Sequence, residues 1–359
     1  MSGDLNVAIV GATGAVGQEF VRLLAERRFP VGRLKLLASR RSAGKTIEFQ
    51  GIPHTVEELT EDSFRGLELA LFSAGASISR KFAPLAAEAG ATVVDNSSAF
   101  RMTPGIPLVV PEVNPKALEG VQLGNGGIIA NPNCSTIIMI VPVTPIHRAV
   151  GVRRIVVSTY QAASGAGAAA MAELEQQTRE VLSGRAPKCE IFRQQYAFNL
   201  FSHDSAIGPE GYNTEETKMV RESHKIWGDS SVAITATCVR VPVMRAHAES
   251  INLELEEALD AEQARSLLEN APGVSILDDR TGNRFPTPLD ASGRDDVFVG
   301  RIRSDISRSG KNGVHGLDLF VCGDQIRKGA ALNAVQIAER LVGDRTRRSG
   351  RRVKVSLSR

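Results

Sequence analysis

The side chain with the most chemistry to offer is a cysteine. In Ala130-Asn131-Pro132-Asn133-Cys134-Ser135-Thr136-Ile137 a proline-bearing turn delivers Cys134, and the apolar run at 137–143 behind it must be buried. A cysteine at such a turn can begin a helix, where unpaired backbone N–H groups and the helix dipole favour a thiolate. The same N–H groups can hold the oxyanion formed when sulfur attacks a carbonyl. The alternative is a structural thiol, since free cysteine is among the most buried residue types.

Other stretches carry groups able to serve such a nucleophile. Arg240 and His247 frame a bend; a histidine there can move a proton near neutral pH, or be an ordinary capped surface residue. Tyr160-Gln161-Ala162-Ala163-Ser164-Gly165-Ala166-Gly167 ends a strong strand. A polar group followed by small residues leaves room for a flat ligand, or is a plain glycine-rich loop before a helix. Glu215 and Lys218 lie three apart on a helix and share a face. They are either an exposed ion pair that contributes little or a charge pair aimed at a ligand. Arg101 closes a polar strand-end loop and can hold an anion such as phosphate, or simply face water.

These groups need elements to position them. Residues 5–10 read as a buried strand, Gly11-Ala12-Thr13-Gly14-Ala15-Val16-Gly17 as a turn, and Val16, Phe20, Val21, Leu23 and Leu24 as one helix face. Strand, glycine turn and helix form a phosphate cradle, here as G-x-x-G-x-x-G rather than the commoner G-x-G-x-x-G. A turn that only packs helix on strand is the other reading. The second strand, 33–38, ends in Ser39-Arg40-Arg41-Ser42, where an NAD site usually places an acid on the ribose 2′-OH. Arginine and serine suit a 2′-phosphate, so NADP is favoured over NAD. Ser73 to Gly75 follow the strand at 67–72 and should face the cofactor. A hairpin at 45–55 turning at Gly51, a helix at 78–89, and strands at 91–94 and 108–114 complete a nucleotide-binding half that closes near Asn131.

Beyond it the spacing predicts strands at 152–159, 232–241, 251–255, 297–303 and 314–321. Helices are expected at 168–182, with acids and glutamines on one face, at 214–226 with Thr214 as N-cap, and at 261–268. Alternation in the strands implies a largely antiparallel sheet with helices on one face. The loop-rich, apolar stretch 187–209 suits a dimer surface, and an Ala-rich helix is expected at 327–341.

Composition narrows the class. The chain has 359 residues, enough for two domains, with 42% hydrophobic and 23% charged residues, as in ordinary globular proteins. No apolar run reaches the ~20 residues of a membrane span, and the start of the chain lacks a signal-like core. Cys134, Cys189, Cys238 and Cys322 show no C-x-x-C pair, which argues against a zinc site or a disulfide framework and for a reducing, cytoplasmic compartment. Of the 43 Lys and Arg, a cluster lies between Arg345 and Arg359 with no acid among them, so the rest of the chain is mildly acidic despite a net charge of +3. That tail reads as a solvated terminus rather than a nucleic-acid surface.

Taken together, GATGAVG (11–17), DNSSAFR (95–101), NPNCST (131–136), YQAASGAG (160–167), RVPVMRAH (240–247) and RKGAALNAVQIAE (327–339) make the chain resemble the aspartate-semialdehyde dehydrogenases over nearly its whole length. The combination is specific, though no single piece is. The resemblance implies an α/β fold: an N-terminal Rossmann-like domain at 1–131, completed by a C-terminal helix at 327–342, and an α+β catalytic and dimerisation domain at 132–326. The basic tail, 343–359, falls outside it. It implies a homodimer or a tetramer with no nucleic-acid or membrane partner and no metal. It also implies the interconversion of L-aspartate 4-semialdehyde, phosphate and NADP+ with 4-phospho-L-aspartate and NADPH, feeding lysine (through diaminopimelate), threonine and methionine biosynthesis.

Roles follow from the same resemblance. Cys134 is the nucleophile, His247 moves the proton, and Gln161 orients the acyl group, while the Cys134 N–H and its neighbours hold the oxyanion. Arg240 grips the α-carboxylate and Glu215 faces the ammonium; Arg101 and Lys218 hold phosphate, and Asn133 joins the substrate set. Gly11, Thr13, Gly14, Ala15, Val16, Ser39, Arg41, Ser42, Ser73, Gly75, Ser164, Gly165 and Gln325 line the NADP site. Gln325 stands where many members carry Asn. The rivals are an N-acetyl-γ-glutamyl-phosphate reductase, and a non-catalytic NADPH-binding protein whose Cys134 senses oxidants.

Overall fold

The computed structural model describes residues 4–310 and 313–348. The chain separates into two compact units, one running to Pro132 and resuming at Ala330, the other Asn133–Gly329.

The first unit is a doubly wound sheet. Its strands are β1 (Leu5–Val10), β2 (Val31–Ala38), β3 (Thr46–Phe49), β4 (Ile52–Glu58), β5 (Leu69–Phe72), β6 (Thr92–Asp95) and β7 (Ile128–Ala130), with helices α1 (Ala15–Glu26) and α2 (Ala76–Glu88). The order is β3-β4-β2-β1-β5-β6-β7, and every pairing is parallel except the β3–β4 hairpin. That hairpin turns on Gln50 and Gly51, both at positive φ, as a tight two-residue turn requires. β1 and β5 are almost wholly apolar because helices cover both faces of a parallel sheet. The chain order reverses at β1, which opens a crevice at its carboxyl end.

The second unit begins with α3 (Cys134–Val150) and continues through β8 (Val152–Gln161), α4 (Ala168–Leu182), β9 (Phe201–Ser202), α5 (Thr214–Trp227), β10 (Ala233–Arg240), β11 (His247–Leu255), α6 (Ala261–Glu269) and β12 (Val274–Ile276). A short α7 (Pro288–Ala291), β13 (Val297–Ser304), the small pair β14 (Ser309–Gly310) and β15 (Gly313–Val314), and β16 (Gly316–Gly323) follow. Its sheet runs β12-β13-β16-β11-β8-β10-β9. Only β12–β13 and β8–β10 are parallel, so the sheet is mostly antiparallel. Helices α3, α5 and α6 pack on one face, against the buried Ile155, Val157, Ile251, Leu253, Leu319 and Val321.

Several expectations are corrected. Residues 108–114 are not a strand: Leu108 makes a single bridge to Ala130, and the Asn114 side chain closes a turn by accepting from Val110 N–H and donating to the Leu108 carbonyl. Pro107 and Pro111 remove the donors that a ladder needs there. The sheet's edge is β7 instead. Asn213, not Thr214, caps α5; its side chain accepts from Glu216 N–H while Glu216 reaches back to Asn213 N–H. The last helix opens with a π-turn, Arg327–Ala331, and then runs as α8 (Leu332–Arg348) past the expected end. Within the first unit it packs its apolar side beside α1, and Arg27 pairs with Glu339 at 2.8 Å. The tail was expected to begin at 343, yet Arg345 ion-pairs with Glu68 at 2.7 Å; residues 349–359 lie outside the described residues.

Candidate active site

Cys134 is the first residue of α3, and Asn133 is its cap. The Asn133 side-chain oxygen accepts from Ser135 N–H at 3.1 Å and Thr136 N–H at 3.2 Å, its amide donates to Glu215 at 2.7 Å, and its backbone N–H donates to Glu222 at 2.6 Å. One asparagine therefore ends the turn, starts the helix and ties it to α5. The helix behind it is buried from Ser135 to Thr144, so the cysteine stands on a rigid mount and is itself only half-buried. Gly329 leans on it: a Cβ there would lie 2.8 Å from Cys134 Cβ. The cap also changes one expectation, because Ser135 and Thr136 have spent their N–H groups on Asn133 and cannot hold an oxyanion.

Three of the expected residues form a row across adjacent strands. Arg240 on β10 pairs with Gln161 on β8, and Ala248 on β11 pairs with Tyr160, which puts His247 beside Gln161. Alternation then turns all three toward the helix-covered face, and all three are buried. His247 Nδ1 accepts from Ala162 N–H at 3.0 Å, so in the neutral ring Nε2 carries the proton. Burial, and then the nearby Arg240 charge, lower its pKa to about 3. Before His247 the chain passes through Ala246 at φ 72, a left-handed conformation held by the Ala246 N–H donating to Gln325 at 2.9 Å. Gly165 faces the row. A Cβ on it would lie 3.0 Å from His247 Cε1 and 3.2 Å from Arg240 Nη1, so only a glycine leaves that space open.

Glu215 completes the cluster. Its carboxylate accepts from Asn133, from Gln161 at 3.2 Å and from Lys218 at 2.9 Å. Burial opposes its ionisation, but Lys218, His203 and the hydrogen bonds outweigh that and hold the carboxyl well below the usual range. The pair expected on one face of α5 is thus an inward carboxylate with a half-exposed lysine.

The structure adds residues that no motif marked. His203, which belongs to no motif, lies in the same cluster, accepting from Ser205 N–H at 3.2 Å; burial, and then Arg240, lower its pKa to about 4. The acids and glutamines on α4 staple a loop. Glu173 accepts from Glu190, Ile191 and Phe192 N–H, Gln177 from Tyr196 and Ala197 N–H, and Glu180 from Lys188 N–H. The stapled loop places the Phe192 ring 5.5 Å under the Arg240 guanidinium. In sequence that loop is only apolar and irregular, and its partners lie eight to twenty residues away.

One layer deeper in the same sheet, Glu249, Thr159 and Cys238 stand in register. Glu249 is fully buried, neither carboxyl oxygen meets a partner among the described residues, and burial raises its pKa well above 4.5. The folded protein holds it neutral while the unfolded chain ionises it, so stability falls as pH rises above that ordinary value. Glu249→Gln should match the wild type near pH 4.5 and exceed it at pH 8, the gap widening by up to ~1.4 kcal/mol per pH unit. Urea unfolding at the two pH values measures this; an equal gap at both would mean the carboxyl is ionised in the fold.

The cradle lies in the other unit. Gly11, at φ 86, brings the end of β1 against Ser73 so closely that a Cβ would overlap the Ser73 carbonyl. Gly14 and Gly75 begin α1 and α2 with no side-chain cap, so the first N–H groups there, including those of Ala15 and Val16, keep their donor capacity for an anion. Thr13 Oγ1 meets Ser42 Oγ at 3.4 Å, joining the glycine turn to the exposed Ser39 and Arg41. These features fit a dinucleotide phosphate. Arg101 is also in this unit; it is buried, with Nε donating to the Asn131 carbonyl at 2.9 Å and Nη2 to the Asn96 carbonyl at 2.7 Å. Ser164, Gly165 and Gln325 instead belong to the unit of Cys134, where Gln325 bonds Ser164 and Ala246.

No helix among the described residues is long and apolar enough to cross a membrane. Residues 6–121 match the family described as semialdehyde dehydrogenase, NAD binding domain, and residues 143–328 match semialdehyde dehydrogenase, dimerisation domain. The aspartate-semialdehyde dehydrogenase of Synechocystis sp. is 55% identical over 95% of this chain and 98% of its own. Aspartate-semialdehyde dehydrogenase 2 of Vibrio cholerae is 50% identical over 96% and 99%. Among solved structures, that of aspartate semialdehyde dehydrogenase II from Vibrio cholerae complexed with ASA superposes with TM-score 0.91 at 49% identity, covering 96% of this chain and 99% of the other. The Candida albicans enzyme with NADP superposes at TM-score 0.73 and 25% identity, covering 95% and 99%. With both domain families matched and such identity over nearly the full length of both chains, the chain belongs to the aspartate-semialdehyde dehydrogenase family.

Proposed function

We propose that the protein is an NADP-dependent, phosphorylating L-aspartate 4-semialdehyde dehydrogenase working through a cysteine thioester. The observation that carries this is the pairing of opposite charges beside one imidazole. Arg240 Nη1 and His247 Nε2 border the space over Gly165, and Gln161 links that row to the ionised Glu215. An α-amino acid aldehyde offers a carboxylate to the arginine and an ammonium to the glutamate. An N-acetyl group offers no ammonium to that glutamate, which argues against the glutamyl-phosphate reductase.

Cys134 Sγ attacks the aldehyde carbon, and the neutral His247, whose Nδ1 is engaged by Ala162 N–H, donates an Nε2–H hydrogen bond to the oxyanion of the thiohemiacetal. When bound, the dinucleotide would supply hydride transfer. The oxyanion then closes to a carbonyl, and the acyl group rests on Cys134 as a thioester. Phosphate then attacks that carbon, releasing the thiolate and 4-phospho-L-aspartate; Lys218 and Arg101 are the cations proposed for phosphate. Gly11, Thr13 to Val16, Ser73 and Gly75 would hold the pyrophosphate side, and Ser39, Arg41 and Ser42 a 2′-phosphate. Ser164, Gly165 and Gln325 are proposed to line the NADP site. The dimerisation domain supports a homodimer, whose surface would include the outer sheet face with the exposed Tyr160. The reaction is assigned to cytoplasmic biosynthesis of lysine, threonine and methionine.

The test is one absorbance experiment. Protein, aspartate semialdehyde, phosphate and NADP+ should generate NADPH. Omitting phosphate should suppress it, and NAD+ should support at least tenfold lower kcat/KM, on the order of 1.4 kcal/mol. No NADPH with every component present would refute the assignment.

A further inference from the structure

The edge strand β9 pairs Phe201 with Arg240, and the chain leaves it at His203, whose N–H donates to the Cys238 carbonyl at 2.8 Å. The next residue is Asp204. Its Oδ1 accepts from Arg240 Nε at 3.1 Å. The arginine side chain is 5% exposed, whereas that of Asp204 is 41% exposed. A guanidinium offers carboxylates a side edge that includes Nε and an end edge formed by the two Nη groups. Asp204 engages Nε, Phe192 covers a face at 5.5 Å, and Nη1 reaches the open side of Gly165, where His247 Nε2 also points. The other nearby carboxylate, Glu215, is engaged by Lys218, Asn133 and Gln161.

We propose that Asp204 is a positioning residue that anchors Arg240 by its Nε edge, so that the Nη edge receives the substrate α-carboxylate. Asp204 thereby sets affinity for that carboxylate without touching the substrate. This rests on Arg240 being the carboxylate receptor, as proposed above. The physical reason is twofold. A long arginine side chain has much rotamer freedom to lose, and a buried cation needs a partner while the site is empty. A half-exposed aspartate meets both needs, because water still solvates its other oxygen. Nothing in the sequence marks Asp204: it lies 36 residues before Arg240 in an irregular stretch.

Steady-state kinetics with two aldehydes tests this. Aspartate semialdehyde carries the carboxylate; 3-aminopropanal keeps the amine and the aldehyde and lacks it. Asp204→Ala should raise KM for the semialdehyde about tenfold and leave kcat within about threefold. With 3-aminopropanal its kcat/KM should stay within about twofold of wild type. Asp204→Asn keeps an oxygen for Nε and should recover most of the KM. An unchanged KM, a lowered KM (Asp204 competing with substrate), or equal losses on both aldehydes would each overturn the proposal. A wild-type protein inert toward the semialdehyde would remove the reaction itself, and the proposal with it.

Discussion

Cys134→Ser should leave no more than about a thousandth of wild-type turnover, with the fold intact. The substitution exchanges sulfur for oxygen at a half-buried position, so the helix, its Asn133 cap and the Gly329 contact have no reason to change. A hydroxyl at a helix N-terminus remains far from ionised at neutral pH, whereas a thiol there is drawn toward the thiolate. The acyl group then has no partner with which to form a thioester. Turnover measured with semialdehyde, phosphate and NADP+, together with a thermal melt, checks both halves. The wild type mixed with acyl phosphate should also carry an acyl adduct on Cys134, seen by mass spectrometry and missing from the variant. Full activity in the serine variant would mean that the nucleophile lies elsewhere.

The second large effect is expected at His247. His247→Gln should lower kcat by about 10²-fold or more, the usual cost of displacing a preorganised oxyanion donor. Glutamine can still donate a hydrogen bond, but its flexible chain does not hold the amide where the ring holds Nε2–H. The pH dependence is as informative as the rate. Burial and Arg240 lower the imidazole pKa to about 3, so the unliganded enzyme keeps it neutral throughout the physiological range. The wild-type kcat/KM, which reports the free enzyme, should therefore show no inflection near 6.5. An inflection there that vanishes in the variant would contradict the buried, neutral imidazole. Stability has the matching sign. Below about 6.5 the unfolded chain takes up a proton that folded His247 refuses until about 3. Stability is lost as pH falls through that window, and the glutamine variant should lose less.

Legibility in the sequence tracked how local the cause was. The strand, glycine turn and helix at the chain start follow from neighbouring residues alone: Gly11 needs its positive φ, and Phe20, Leu23 and Leu24 repeat at helical spacing. The burial of the run behind Cys134 was equally readable, while its helical form, with Pro142 and Pro145 inside it, was only one possibility. Two short-range signals were nonetheless misread. Residues 108–114 look apolar enough for a strand, but prolines deny the ladder its donors and Asn114 folds them into a turn. Asn213 displaced Thr214 as cap because Glu216 answered it in a reciprocal box.

Fold class, family and the residue types able to do chemistry follow from the chain alone, because periodicity, glycine placement and the cysteine turn depend on contacts within a few residues. That His247, Gln161 and Arg240 stand side by side is settled by the fold, since strand register is a long-range property. The fold alone also brings Asp204 to Arg240 and Phe192 beneath it, and sets in the layer below a Glu249 with no partner among the described residues. Charge, burial and hydrogen-bond partners of these groups come from segments distant in the chain, and no local pattern encodes them.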